Sequence, residues 1–191
     1  MITDQLYGEL AEDEIGKYAL RKSNSSVFKD FSLSYKAKFD KWNSLSRIFP
    51  HSCLLNSHDL QADSLTYNRN NLKSFQKVVR ILAAQKDFLI YRLFENMNHL
   101  DDEGVYGVWI CEHYQWKCYL INDAIPVDNI GNPCNTVFGE DSESQLWLFL
   151  LEKALAISLG GYEELENIEV HKLFHMLTGS NTLTYKDRED P

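Results

Sequence analysis

The sequence predicts an α+β fold with one buried helix at its centre. Residues 146–159 (LWLFLLEKALAISL) are apolar on every side, and Glu152 and Lys153 are their only charged interruption. A helix that is apolar all round belongs in a core, because a surface helix carries a polar stripe. Residues 104–123 hold two runs of β-branched and aromatic residues joined by a short polar turn, which is typical of a β-hairpin. The apolar spacing of residues 72–82 adds a helix with one buried face.

Length, composition and charge limit the class of protein. A chain of 191 residues fits one domain, with or without an extension, and 44% hydrophobic residues are enough for a packed core. The net charge of −9 argues against nucleic acid and membranes as partners, since both attract clustered Lys and Arg. Four scattered cysteines favour a reducing compartment over a disulfide framework, and the N-terminus has no signal-peptide pattern. We therefore expect a cytoplasmic protein.

The first part of the chain predicts an extension followed by a packed segment. Residues 3–22 have the apolar spacing of an amphipathic helix, with acids early and bases late, as the helix dipole favours. We interpret residues 1–26 as a helical extension that docks or caps. Residues 27–50 are aromatic-rich and poorly periodic, which indicates an irregular packed segment, and residues 51–69 are polar and read as a loop.

Two helices are predicted before the hairpin. The first begins near Asn70 or Asn71, which can cap it, and runs to about Ala84. Its buried face holds Leu72, Phe75, Val78, Val79 and Leu82. The second, Phe88–Phe94, is mostly apolar and is expected to be buried.

The hairpin and the helices after it complete the predicted elements. Its strands are Gly104–Cys111 and Trp116–Asp123, and they are expected to pair antiparallel. Gly160 and Gly161 end the central helix, since glycine takes the left-handed conformation at little cost. A new turn starts at Tyr162, and a short helix follows at 168–178.

Several of these motifs, in the same order, resemble the calpain family of papain-like proteases. Trp147, Leu150–Ala154 and Gly161–Leu165 resemble that family's tryptophan, its L-L-E-K-A-Y and its G-x-Y-E-x-L motifs. The hairpin, with its exit at Asp123–Pro126, resembles the calpain hairpin in the same way. The resemblance extends over residues 18–182.

The resemblance implies the first subdomain of a calpain-type core, with the small antiparallel sheet on flanking helices. It places this core at residues 27–182 and leaves 183–191 as a polar tail. The residues that carry the resemblance to the fold are Trp42, Trp109, Trp116, Trp147, Glu152, Lys153, Gly161 and Tyr162.

A papain-type protease needs a thiolate at a helix N-terminus, a histidine base and a residue that orients that base. Aligning the calpain nucleophile motif forward from Gln61 puts its cysteine at Tyr67, whereas aligning it backward from the helix end puts it near Lys73. Neither residue is a cysteine, and Gln61 at the oxyanion hole then serves no nucleophile. The G-H-A and N-P-W-G motifs of the second calpain half do not occur in the sequence. The resemblance thus implies no catalytic residue, and we expect a pseudoprotease rather than an enzyme.

No cofactor is expected. The resemblance places calcium ligands at Asp59 and at Gln145, but glutamine lacks the charge that a hard cation favours, so we expect weak calcium binding or none. His171 and His175 have a metal-compatible spacing without the Glu of H-E-x-x-H, which favours two partly buried histidines over zinc. Cys111, His113 and Cys118 surround the hairpin, yet cysteines in strands are usually small core residues.

The expected function is therefore that of an interaction protein. A cleft wall that lacks its second half is either exposed or covered by another chain, and an exposed wall favours protein binding. We expect a non-catalytic structural subunit of a larger assembly, with other protein subunits as partners. By resemblance to calpain-like domains without catalytic residues, a cytoskeletal or ciliary assembly is the candidate. Two alternatives stay open: a decoy that binds an active calpain or its substrates, and one half of a protease assembled in trans.

Overall fold

The computed structural model describes residues 41–50, 54, 72–85, 89–95, 104–133 and 146–182. The strands are β1 (Lys41–Ser44), β2 (Val105–Glu112), β3 (Gln115–Asn122) and β4 (Ala124–Val127). The helices are α1 (Leu45–Ile48), α2 (Lys73–Ala84), α3 (Trp147–Leu159), α4 (Tyr162–Asn167) and α5 (Val170–Thr178), with a 3₁₀ helix at Leu89–Leu93. This mixture confirms the predicted α+β class. None of the helices in these ranges is long and apolar enough to cross a membrane.

The domain boundaries stay a prediction. The N-terminal extension at 1–26 and the tail at 183–191 lie outside the described residues, as does the start of the predicted core at 27–40.

Helix α3 is the centre of the core, as predicted. Every residue from Trp147 to Ala156 is buried, including the two charged ones, so the helix is enclosed on all sides. It ends at Gly160, whose φ of +94° is the left-handed conformation that glycine adopts without strain. The surrounding elements contribute their apolar faces to this one cluster.

Helix α2 packs beside this core. Four of the five predicted side chains form its buried face, and Ala83 joins them; the fifth, Leu72, is buried but precedes the helix, which begins later than predicted. The helix contacts α5, α4 and the 3₁₀ helix. The predicted second helix at Phe88–Phe94 is wrong in type: the chain forms a 3₁₀ helix at Leu89–Leu93 and then Phe94 bridges to Val108 of β2. The chain thus leaves the helical conformation at Phe94 and pairs with the sheet there.

The hairpin of β2 and β3 is antiparallel, in register from Val105–Asn122 to Glu112–Gln115. His113 and Tyr114 alone form the turn, with φ of +50° and +64°, the pattern of a type I′ turn. A second antiparallel pair joins β1 to β4. This pair corrects the expectation that residues 27–50 are irregular, because part of that segment is a strand held by a partner about eighty residues later.

One buried cation joins the central helix to both strand pairs. Lys153 of α3 is 0% exposed, and its ammonium donates to the carbonyls of Asn122 at 2.9 Å and Ala124 at 2.7 Å. It also donates to the side-chain oxygen of Asn122. Between these two residues lies Asp123, whose carboxylate accepts from the Ser44 hydroxyl of β1. Burial lowers the pKa of Lys153 to about 7, and the charge of Asp123 opposes this.

Candidate functional site

The first candidate site is the start of α2, where one of the two alignments placed the calpain nucleophile. Lys73 is the first residue of this helix and is exposed. Leu72 precedes it as N-cap and makes no side-chain hydrogen bond to the helix. The other aligned positions, Gln61 and Tyr67, lie outside the described residues. The first residue of this helix is therefore a lysine and not the cysteine of the calpain motif.

The exposed side of α2 is cationic. Lys73, Lys77 and Arg80 are all exposed, and their spacing places them along one face of the helix. The helix contains no acidic residue, although the whole chain carries a net charge of −9. Its N-terminus adds a partial positive charge of about half a unit. The side chain of Ile81, which is 43% exposed, adds apolar surface beside this cationic stripe, which consists of Lys73, Lys77 and Arg80.

The calcium expectation stays a prediction, because Asp59 and Gln145 both lie outside the described residues. Within the ranges that the structure does describe, no group of three or more His, Cys, Asp or Glu side chains is placed to hold a metal ion.

The two local patterns of His and Cys do not assemble as sets in the described part of the chain. His171 lies near Glu169, with 3.4 Å between the ring nitrogen Nε2 and a carboxylate oxygen. Cys118 lies 3.4 Å from a carboxylate oxygen of Glu95 instead of joining Cys111. Burial, followed by the charge of Glu95, raises the pKa of Cys118 to about 12, so this thiol is protonated at neutral pH.

The structure instead pairs one residue from each pattern. Cys111 at the end of β2 and His175 near the end of α5 approach with 4.0 Å between Sγ and Nε2. The other ring nitrogen, Nδ1, lies 2.9 Å from the carbonyl oxygen of Ser180, and Tyr114 packs edge-on against the ring with centroids 4.7 Å apart. The sequence gives no signal for this pair, since 64 residues separate its members.

The surroundings of Cys111 raise the pKa of its thiol. Burial is the largest influence on the pKa of Cys111 and raises it, and the neighbouring charge of Glu112 raises it further. A catalytic thiol needs the opposite, a lowered pKa at a helix N-terminus or beside a cation. Cys111 instead lies at the end of a strand.

Several of the residues that carry the resemblance are buried or make packing contacts. Trp147 and Tyr162 are 0% and 2% exposed in the core. The ring of Trp42 lies 5.6 Å from the ammonium of Lys153, close enough for a cation–π contact. Trp116 packs against the end of α5, where an added Cβ at Gly179 would come within 3.1 Å of its ring.

Comparison with known proteins gives one consistent family. The sequence pattern of the calpain family cysteine protease domain matches residues 62–191. Calpain-type cysteine protease DEK1 of Zea mays is 37% identical over 79 residues, 41% of this chain and 4% of the relative. Calpain-type cysteine protease ADL1 of Oryza sativa is 35% identical over the same number of residues. Calpain-14 of Homo sapiens is 30% identical over 112 residues, 58% of this chain and 16% of the relative.

These matches correct the expectation that the chain is not an enzyme. That expectation was wrong, because the matching family and the named plant relatives are cysteine proteases. It rested partly on motifs of the second calpain half, but the chain spans only 4% to 16% of the length of the relatives described here. The absence of motifs from so short a segment therefore says nothing about residues that lie elsewhere in a calpain.

Proposed function

Because the chain belongs to the calpain family of cysteine proteases, we propose that it forms one wall of a calpain-type cleft and binds a polypeptide along α2. The observation that carries this proposal is the pair of exposed lysines Lys73 and Lys77, which begins at the helix end where one of the two alignments places the calpain nucleophile. The proposed occupant is an acidic polypeptide segment, either a substrate or the facing part of a calpain core.

The core behind α2 makes this wall rigid enough to select a partner. Phe75, Val78 and Val79 are each 0% exposed, so the exposed stripe is fixed in direction by a fully packed opposite face. Each exposed lysine that meets a carboxylate contributes about 0.2–1 kcal/mol. Two such contacts give a weak, salt-dependent interaction, which apolar contact with Ile81 strengthens.

The test is a charge reversal on this wall with a matched control. The double variant Lys73→Glu/Lys77→Glu is compared with Lys172→Glu, an exposed lysine on α5 whose side chain is 64% exposed. Binding of a fluorescent Glu-rich peptide is measured by anisotropy, beside the same peptide with Gln in place of Glu. We expect the wild type and Lys172→Glu to prefer the Glu-rich peptide, and the double variant to lose that preference.

A second arm tests the facing part of the core. The segment of human calpain-14 that follows the matched region is mixed with this chain, and complex formation is followed by size exclusion with light scattering. Association that the double variant weakens supports the cleft wall. Equal binding by all variants, or none by the wild type to either probe, contradicts the proposal. Hydrolysis of a fluorogenic peptide is measured in the same mixtures.

We further propose that the protein acts in the cytoplasm, as a protein-binding subunit of a cytoskeletal or ciliary assembly. The acidic net charge and the scattered cysteines support an intracellular setting. Affinity purification from the native source with mass spectrometry, and imaging of a tagged chain, test this. Recovery with no cytoskeletal or ciliary subunit, or a tag that stays diffuse, contradicts it.

A further inference from the structure

We propose that Cys111 and His175 form a two-ligand site for a soft monovalent cation, Cu⁺. The two residues lie at the ends of β2 and α5, which pack against each other, so the site would join the hairpin to the last helix. This site is separate from the α2 wall and does not depend on the function proposed for it.

The distance between the two ligand atoms indicates low coordination. With zinc–sulfur and zinc–nitrogen lengths of ~2.3 Å and ~2.0 Å as a guide, a linear bridge between the two atoms spans ~4.3 Å and a tetrahedral angle gives ~3.5 Å. The observed separation of Sγ and Nε2 is 4.0 Å, closer to the linear span. A shift of a few tenths of an ångström completes it. Thiolate and imidazole together suit Cu⁺, which accepts two ligands, whereas zinc sites in proteins are almost always four-coordinate.

The imidazole is already oriented as a ligand. A carbonyl oxygen only accepts hydrogen bonds, so the contact between Nδ1 and the Ser180 carbonyl at 2.9 Å requires the proton on Nδ1. In the neutral ring this leaves the lone pair of Nε2 directed toward Cys111. A metal-binding histidine usually donates its other N–H to such a carbonyl, which fixes tautomer and ring direction.

The surroundings of the pair favour a soft cation over a hard one. Cys111 is 1% exposed, so the thiol lies in a largely dry place. The nearest carboxylate in sequence, Glu112, is engaged by three donors and so is not available as an oxygen ligand: Lys117, Tyr119 and Ser158. Tyr114 covers the imidazole edge but is itself 73% exposed, so its ring can move aside to admit an ion.

Binding exchanges one proton for one cation. The Cys111 S–H loses its proton to solvent as the sulfur–copper bond forms, and Nε2 donates its lone pair without a proton change. No electron is transferred, since the copper is supplied as Cu⁺. Because a proton leaves, affinity rises with pH. The bound ion stabilises the folded state in proportion to the logarithm of its concentration over Kd.

The experiment uses the full chain, reduced and free of metal, under anaerobic conditions. Cu⁺ is supplied from a chromogenic Cu⁺ chelator, and transfer to the protein is followed by loss of the chelator's colour. We expect one equivalent to bind. Loss of an outer-shell partner costs 10–100-fold in affinity, so Cys111→Ser and His175→Gln, which remove ligands, should each cost more than about tenfold. The matched controls Cys118→Ser and His171→Gln should bind as the wild type does.

X-ray absorption at the copper edge identifies the ligands. One sulfur and one nitrogen neighbour support the proposal. Two sulfur neighbours, unchanged affinity in Cys111→Ser or His175→Gln, or no transfer from the chelator overturn it. Circular dichroism of the metal-free variants checks folding, and His175→Gln alters a half-exposed side chain, so this variant tests the site even where Cys111→Ser disturbs the strand.

Discussion

Raising the pH from 7 to 8.5 should stabilise this fold through Lys153. The ammonium of this residue is fully buried, and burial lowers its pKa from 10.5 to about 7, against the opposing charge of Asp123. In the unfolded chain the pKa returns to 10.5. Between pH 7 and 10.5 the unfolded state therefore binds more protons than the folded state, so the free energy of unfolding rises with pH in this window.

The magnitude follows from proton linkage. A single group with pKa values of about 7 folded and 10.5 unfolded gives a gain of about 1.6 kcal/mol between pH 7 and 8.5, at 2.303RT per proton and pH unit. The pH range ends at 8.5 because two other groups affect stability above it. Burial raises the pKa values of Cys118 and Tyr119 to about 12 each, so above pH 9 their ionisation in the unfolded chain lowers stability again.

The assay is urea denaturation at pH 7.0, 7.5, 8.0 and 8.5 on the wild type and on Lys153→Met. Methionine has nearly the shape of lysine but does not titrate, so the difference in slope between the two proteins removes all other titrating groups. We expect the wild type to gain about 1–2 kcal/mol more than the variant over this range. Equal slopes refute the reasoning, and mean that the acceptors from Asn122 and Ala124 keep the ammonium charged throughout.

Four further predictions follow from the packing and the charges. Leu150→Ala in the core should cost about 2–5 kcal/mol in urea denaturation, whereas Ile130→Ala, at a residue 85% exposed, should stay within about 0.5 kcal/mol. Burial raises the pKa of Glu112, but its hydrogen bonds lower it to about 2. The stability that the ionised Glu112 contributes is therefore lost as the pH falls from 4.5 toward 2, and Glu112→Gln should flatten that part of the acid-unfolding curve. Gly104→Ala should cost more than about 1 kcal/mol in the same assay, because φ is +64° and the new Cβ comes within 2.9 Å of Asp123. Millimolar calcium should leave the thermal midpoint unchanged; a clear rise contradicts the expected weak binding.

Elements whose signal is local were predictable from the sequence. The all-round apolar pattern of 146–159 correctly predicted a buried central helix, and the spacing at Phe75, Val78 and Leu82 correctly predicted one buried face on α2. The two runs of β-branched and aromatic residues in 104–123 likewise predicted the hairpin. In each case a neighbouring stretch of chain contains all the information that decides the element.

Elements that depend on distant partners were missed. The strand at Lys41–Ser44 is four residues long and is held by its pairing with Ala124–Val127. Four residues are too few to show the alternating pattern from which a strand could be predicted. The predicted strands left a four-residue turn at 112–115, whereas Glu112 and Gln115 pair and the turn has two residues. The sequence did not indicate this, because His113 and Tyr114 adopt positive φ without the Asn-Gly signature of a type I′ turn.

The charged residues show why the site is harder to predict than the fold. In the sequence, Lys153 is a charged interruption of an apolar helix and nothing near it indicates a partner, yet it is 0% exposed. It is buried because the bend between β3 and β4 turns two carbonyls toward it, at 2.9 and 2.7 Å, and these replace the water it loses. The pairing of Cys111 with His175 has the same origin. Strand and helix ends 64 residues apart meet only when the core is complete, so chemistry that depends on such a meeting is encoded in the packing of the core and not in any local motif.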